Sequence, residues 1–271
     1  MTDLTNGCTI PDLPYTQVND ILSDDDCPSV SILIPCYLRR KFKPLILCNI
    51  FYMDYPKEKL EVCILQDGPE DLFESSNERK WFEQQIGPTR LKYVYEPNVR
   101  RSIGEKRNKL VKMATHKICA MMDSDDIYIP TYIRYSVSAM KEHKAGITSS
   151  ASMIFMYPEQ EYKLSAIRCG HKHQGHEATM VFTKRHWGQM GGFASKGQGA
   201  NQGEGAKMIA YNEKQMINLS IDRLMVCVCH TGDDGNTINK DRFLSAQFQS
   251  ELGNTPHLMV VKRIFSQISQ K

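Results

Sequence analysis

The sequence predicts an α/β protein built on a mainly parallel sheet with helices on both faces, and two observations lead to that class. Short runs rich in β-branched and apolar residues alternate with longer stretches whose apolar residues fall at helical spacing. Several of the short runs are apolar without interruption, the pattern of strands buried on both faces. In such sheets ligands bind beyond the carboxyl ends of the strands, so the residues that follow each apolar run are the ones to search.

Val30-Ser31-Ile32-Leu33-Ile34 is the first strand, stopped by Pro35, and a helix follows over 41–53 with apolar residues at Phe42, Leu45, Ile46, Ile50 and Met53. Val62-Cys63-Ile64-Leu65 is the second strand, ended by the turn signal Asp67-Gly68-Pro69 and followed by a helix over 76–86. A third short strand covers 91–95. Ser102 and Glu105 stand at the capping-box spacing, so a helix should run from Ile103 to about Ala114, with a fourth strand over 117–122. Downstream, the pattern predicts a helix over 131–143, strands over 146–157, 177–183 and 223–229, and a helical tail from Asp241. The glycine-rich stretch 188–205 is expected to be a mobile loop over the pocket.

With 271 residues, 41% hydrophobic and 24% charged, the chain has the composition of an ordinary globular protein. Its formal charge of +3 comes from basic residues scattered among nearly as many acids, so charge nominates no nucleic-acid partner. The start is polar and acidic, without the basic and apolar regions of a signal peptide, and no run is long enough for a transmembrane segment. The expectation is a cytoplasmic protein. Its nine cysteines sit irregularly, with Cys36, Cys48, Cys63 and Cys119 inside apolar runs, and read as buried reduced thiols.

Chemistry gathers first at Asp123-Ser124-Asp125-Asp126, directly after the fourth strand. Carboxylates this close repel unless a cation neutralises them, and Mn2+ or Mg2+, held by one or two carboxylates plus phosphate oxygens, suits an Asp-x-Asp pair. The bland alternative is a solvated turn whose Asp126 caps the helix near Pro130. Arg107 shares a helical face with Ile103, Leu110 and Ala114, so its guanidinium points inward and needs an anion: Asp125, Asp67, a phosphate, or a purely structural carboxylate. Lys109 and Lys112 should point into water. Cys169, His171, His173 and His176 match no common zinc module.

Val30 to Tyr37, Gln66-Asp67-Gly68, Gly104-Glu105-Lys106-Arg107-Asn108, Met122 to Asp126 and Gly191-Gly192-Phe193 occur here in the order seen in family 2 glycosyltransferases, which the chain resembles over about 29–236. The resemblance implies a GT-A fold and transfer of a sugar from a nucleoside-diphosphate donor, with uridine favoured, to a glycan, glycoprotein or lipid-linked acceptor. It implies one domain over 29–240, with its nucleotide-binding half at 29–130 and its acceptor half at 131–240; composition and pattern add a polar leader over 1–28 and a helical tail over 241–271. By position, Pro35 and Tyr37 resemble the loop under the nucleotide and Asp67 the acid that meets the base. Arg107 resembles a residue beside the diphosphate, and Asp123 and Asp125 the ribose and metal contacts. His230 resembles a late metal-ligating histidine, though a lone histidine at a strand end is also a common structural residue. For an inverting transfer the candidate base is Glu204, with Asp233 and Asp234 as fallback acids. Two departures stand out: Gln66 where relatives often carry a second acid, and Gly205 where an acid follows the Glu.

Other readings stay open at this stage. A haloacid-dehalogenase-like phosphohydrolase would use Asp123 as nucleophile and Gly232-Asp233-Asp234-Gly235-Asn236 as a second motif, but would need the nucleophile on the first strand. A GT-A domain that binds nucleotide sugars without turnover would explain Gly205. Trp187 could stack on an acceptor sugar or pack in the core.

Overall fold

The computed structural model describes residues 15–168, 175–197, 203–210, 216–230 and 255–268. The first part of the chain alternates strictly: β1 (Val30–Tyr37), α1 (Lys43–Tyr52), β2 (Leu60–Asp67), α2 (Ser76–Gln85), β3 (Arg90–Glu96), α3 (Ile103–Met113) and β4 (Ile118–Met121). The second part runs β5 (Ile127–Tyr128), α4 (Tyr132–Glu142), β6 (Ile147–Ser149), β7 (Ser152–Tyr157), β8 (Lys163–Arg168), β9 (Val181–Thr183) and α5 (Lys184–Gln189). It continues with α6 (Ala206–Ala210), β10 (Met216–Asn218), β11 (Met225–Val228) and α7 (Pro256–Ile268).

Seven strands form one sheet in the order β10-β6-β9-β4-β1-β2-β3, parallel except for β9, which runs antiparallel to both neighbours. A second sheet orders β5-β11-β7-β8. The uninterrupted apolar character of β1 has a direct cause. Ile32 and Ile34 enter one core with Leu45, Ile46 and Ile50 of α1, whereas Leu33 enters the other with Leu110 and Val111 of α3. Both faces of the strand are dry, so both parities must be apolar.

Pro35 does not end the strand; β1 continues to Tyr37. The Leu33 carbonyl accepts from the Met122 amide, so Pro35, two residues on, turns its nitrogen to the same side, where β4 has already ended. A missing N–H there costs no ladder bond. The stretch 146–157 is likewise not one strand but β6 and β7, in different sheets. At the break the Ser150 amide donates to Thr179 Oγ1 at 2.9 Å and the Ala151 amide to Asn218 Oδ1 at 2.9 Å, so side chains replace the ladder partner and the chain can change sheets. Residues 177–183 shorten to β9 behind a single 3-10 turn, Glu177–Thr179, and the glycine-rich stretch begins inside α5.

The predicted capping box is present: Ser102 Oγ accepts from the Glu105 amide at 3.2 Å and Glu105 Oε2 from the Ser102 amide at 3.0 Å. Cys36, Cys48, Cys63 and Cys119 are buried and unbridged. Among the described residues no helix is long and apolar enough to cross a membrane. The leader up to residue 14, the Cys169, His171 and His173 positions, Asp233 and Asp234, and the tail over 241–254 lie outside the described residues.

At the opposite end of the sheet from the candidate site, Glu61 ties three strands together. Its side chain is 1% exposed, takes the Ser31 hydroxyl at 2.6 Å and the Thr115 amide, and pairs with Lys92 at 3.2 Å. Burial alone would raise its carboxyl, but these donors hold it down to about 2. A carboxyl depressed on folding stabilises the protein above its unfolded value near 4 and loses that contribution as pH falls through the folded value. Thermal denaturation between pH 5 and 2 should therefore show a loss of roughly 2–3 kcal/mol that Glu61→Gln flattens; an equal pH slope in the variant would exclude Glu61 as the source.

Candidate active site

The ends of β1, β2 and β4 bring the motif residues to one edge of the sheet. Tyr37 and Asp67 are register partners at the last positions of β1 and β2. Asp67 is fully buried; its Oδ1 pairs with Lys106 Nζ at 2.6 Å and its Oδ2 accepts from the Arg101 amide at 2.7 Å. Lys106 Nζ also donates to the Cys36 carbonyl at 3.0 Å, and burial lowers its affinity for the proton despite Asp67 beside it. The Arg100 guanidinium lies over the Tyr37 ring, 3.5 Å from its centroid. Lys106 belongs to the Gly104 to Asn108 motif, but the sequence alone gives it no role there, and its position three residues after Ile103 puts it on the inward side of α3 beside Arg107.

The turn that follows β4 is held from three directions. The Asp123 amide donates to the Tyr128 hydroxyl at 2.7 Å, and that hydroxyl donates to the Ala178 carbonyl at 2.9 Å. Asn49 of α1 donates to the Asp126 carbonyl and accepts from the Tyr128 amide, both at 2.9 Å. Asp126 Oδ1 accepts from the Val228 amide at 2.8 Å, so Asp126 joins the turn to β11 and does not serve as a helix cap. That leaves Asp123 and Asp125, the two ends of the Asp-x-Asp spacing, directed into the site.

Those two carboxylates go to different partners. Asp125 Oδ2 lies 2.9 Å from His230 Nε2 and 3.1 Å from Arg39 Nη2. The His230 side chain is 1% exposed and its ring stands 4.9 Å from that of Phe42 and 6.2 Å from Phe265 of α7. Asp123 instead pairs with Arg107 Nη2 at 3.1 Å. The other guanidinium nitrogen, Arg107 Nη1, pairs with Glu204 Oε1 at 2.9 Å. Arg107 and Glu204 are both 5% exposed. Although burial works against its charge, Glu204 and then Asp123 hold the guanidinium more firmly protonated than usual. Burial raises the Glu204 carboxyl against the opposing pull of Arg107.

The glycine-phenylalanine motif serves this cluster. Asn108 on α3 accepts from the Phe193 amide and from Trp187 Nε1, each at 2.9 Å, and donates to the Phe193 carbonyl at 2.8 Å. Trp187 is thus a packing residue of this clamp. Gly192 has φ +75°, and a Cβ there would lie 2.7 Å from Asn108 Oδ1, so both conformation and space demand glycine. Gly104 is required for a different reason: its Cβ would sit 1.7 Å from the Ala194 carbonyl oxygen. Lys109, expected in water, pairs with Glu96 at the end of β3.

A divalent cation implied by the resemblance fits this donor set in part. A carboxylate oxygen and an imidazole nitrogen in contact, Asp125 and His230, are suitable ligands for Mn2+, the rest of its sphere being water and phosphate oxygens. Among the described residues no group of three or more His, Cys, Asp or Glu side chains is gathered for a metal. Asp123, turned to Arg107, does not join Asp125 and His230. Arg39 supplies the compensating positive charge on Asp125 that a cation would otherwise provide.

A model described as Glycosyl transferase family 2 matches residues 31–195. A search of the curated proteins finds no match. Among solved structures, the mannosyltransferase PcManGT from Pyrobaculum calidifontis, in complex with GDP-Man and Mn2+, aligns with TM-score 0.57 at 18% identity, over 80% of this chain and 61% of that one. Residues 1–349 of S. aureus TarS, in complex with UDP-GlcNAc, align with TM-score 0.55 at 16% identity, over 89% of this chain and 66% of that one. The chain therefore spans less than two thirds of either. At these identities the likeness carries the fold: α/β, GT-A-like, with a mixed, mostly parallel sheet and a smaller second one.

Proposed function

The chain belongs to glycosyl transferase family 2, and from that premise we propose that it transfers a sugar from a nucleoside-diphosphate donor to an acceptor hydroxyl, with inversion. Mn2+ or Mg2+ is held by Asp125 and His230, UDP is the favoured nucleotide, and Glu204 is the base. The observation that carries the reading is the convergence, at one sheet edge, of the Asp125–His230 pair and the Asp123–Arg107–Glu204 bridge. PcManGT with GDP-Man and Mn2+, and TarS with UDP-GlcNAc, share the fold and lend support to a nucleotide-sugar donor.

In this reading the nucleoside lies across the ends of β1 and β2, over Pro35 and Tyr37, with Asp67 below the base. Asp123 faces the ribose. Asp125 and His230 hold the cation, which when bound neutralises charge on the departing diphosphate. The acceptor hydroxyl gives its proton to Glu204 as its oxygen bonds to the anomeric carbon. On the opposite face the bond to the diphosphate breaks, and its electron pair leaves with the phosphate. Arg107, whose guanidinium is engaged by both Glu204 and Asp123, orients Glu204 for that attack.

Isothermal titration with UDP, GDP, ADP and their sugars, in Mn2+ and in chelator, tests the donor site. One nucleotide should bind with metal at least tenfold more tightly than without, and Asp125→Ala should erase that difference, since removing one of few protein ligands weakens metal affinity by about 10–100-fold or more. Metal-independent binding, unchanged in the variant, would refute the cation site. No binding of any nucleotide would refute the donor assignment.

A further inference from the structure

Glu204 stands in a short turn, Gly203-Glu204-Gly205, whose carbonyls at Gly203 and Gly205 accept from the Ala206 and Met208 amides of α6, and whose backbone is also tied to two segments distant in sequence. The Glu204 carbonyl accepts from the Ala194 amide at 2.8 Å. The Gly205 amide donates to Glu177 Oε1 at 3.1 Å. Glu177 comes from a different part of the chain, the 3-10 turn ahead of β9, and is half-buried. The fit between them is close: a Cβ at position 205 would lie 2.6 Å from Glu177 Cγ and 2.8 Å from Met180 Cε. A side chain at 205 would thus push Glu177 and Met180 from their places.

We infer that Glu177 is a positioning residue for the transfer reaction, clamping the Gly205 amide so that Glu204 is held on Arg107 and presented to the acceptor. The inference rests on Glu204 being the base. It accounts for the missing acid at 205: a carboxylate does stand next to Glu204, but it is delivered from 177 and acts on the backbone. With Glu177 shortened, the turn loses its tie to the segment ahead of β9 while the Ala194 bond and the local bonds into α6 remain, and the Glu204 carboxylate loses its fixed distance to the acceptor oxygen. Misplacement of a reacting group by about 1 Å costs on the order of a hundredfold in rate.

The test uses the full chain with Mn2+ and UDP-glucose, UDP-N-acetylglucosamine and GDP-mannose, with water as acceptor and release of the nucleoside diphosphate as readout. On the fastest of these donors, Glu177→Ala should lower kcat about 10–100-fold and leave donor KM within about twofold. Glu177→Gln, which keeps an oxygen to accept the Gly205 amide, should recover most of the rate. A Glu177→Ala enzyme with wild-type kcat, or with its loss confined to KM, overturns the inference, as does a Gln variant as slow as the Ala variant. Glu204→Gln separates the two levels. If that variant is inactive while Glu177→Ala is unaffected, only the positioning role falls. If it turns over at the wild-type rate, the base assignment falls and the clamp with it.

Discussion

Replacing Arg107 with methionine is expected to destabilise the protein by about 3–5 kcal/mol, a fall in melting temperature on the order of 10 °C for a chain of this size. The guanidinium spans two carboxylates, Glu204 at 2.9 Å and Asp123 at 3.1 Å, and is 5% exposed. Removing it leaves Glu204 buried and without its counter-charge. Asp123, 27% exposed, can be rehydrated, so Glu204 carries most of the cost. Because burial already raises the Glu204 carboxyl, the stranded group should relieve itself by taking up a proton. A carboxyl raised on folding is destabilising above its unfolded value and is relieved as pH falls, so the deficit of the variant should narrow from pH 8 towards pH 5. Arg107→Lys should fall between, since one ammonium cannot bridge two carboxylates in the way a planar fork does. Urea denaturation at several pH values measures all three; a methionine variant within about 1 kcal/mol of wild type would mean that the bridge is worth no more than an exposed pair.

That bridge also marks where the sequence could be read and where it could not. β1, β2 and β4 were legible because both of their residue parities are largely dry, which forces apolar runs that local composition displays. The inward face of α3 was legible for the same reason, and it located Arg107. Its partners were not. Asp123 lies 16 positions away and Glu204 nearly a hundred, and no periodicity links them. Arg39 on Asp125 and Glu177 on Gly205 were missed because each acts from a turn, where spacing carries no face. Pro35 misled the strand boundary because a proline is forbidden in a ladder only where a neighbour strand reaches it. The split of 146–157 into β6 and β7 depends on Thr179 and Asn218, two side chains supplied from far along the chain.

Glu204→Gln is the change that isolates chemistry from architecture. The amide keeps the shape and an oxygen for Arg107, so the turn should remain folded, but it cannot accept the acceptor's proton. Loss of a positioned general base typically costs about 10²–10⁴-fold in rate, so kcat should fall by that factor while donor affinity measured by titration stays near wild type. Two features make Glu204 a credible base. Burial raises its proton affinity, and Arg107 fixes its direction. Those features also oppose each other, because a neighbouring guanidinium lowers the basicity that burial raises. The balance is visible in the pH profile: kcat should decline on the acid side as Glu204 is protonated, and that limb should be missing from the residual activity of Glu204→Gln. A residual rate that keeps the same acid limb would assign the limb to another group. A variant with full kcat would transfer the role of base to an acid elsewhere in the chain, with Asp233 and Asp234 the first to replace.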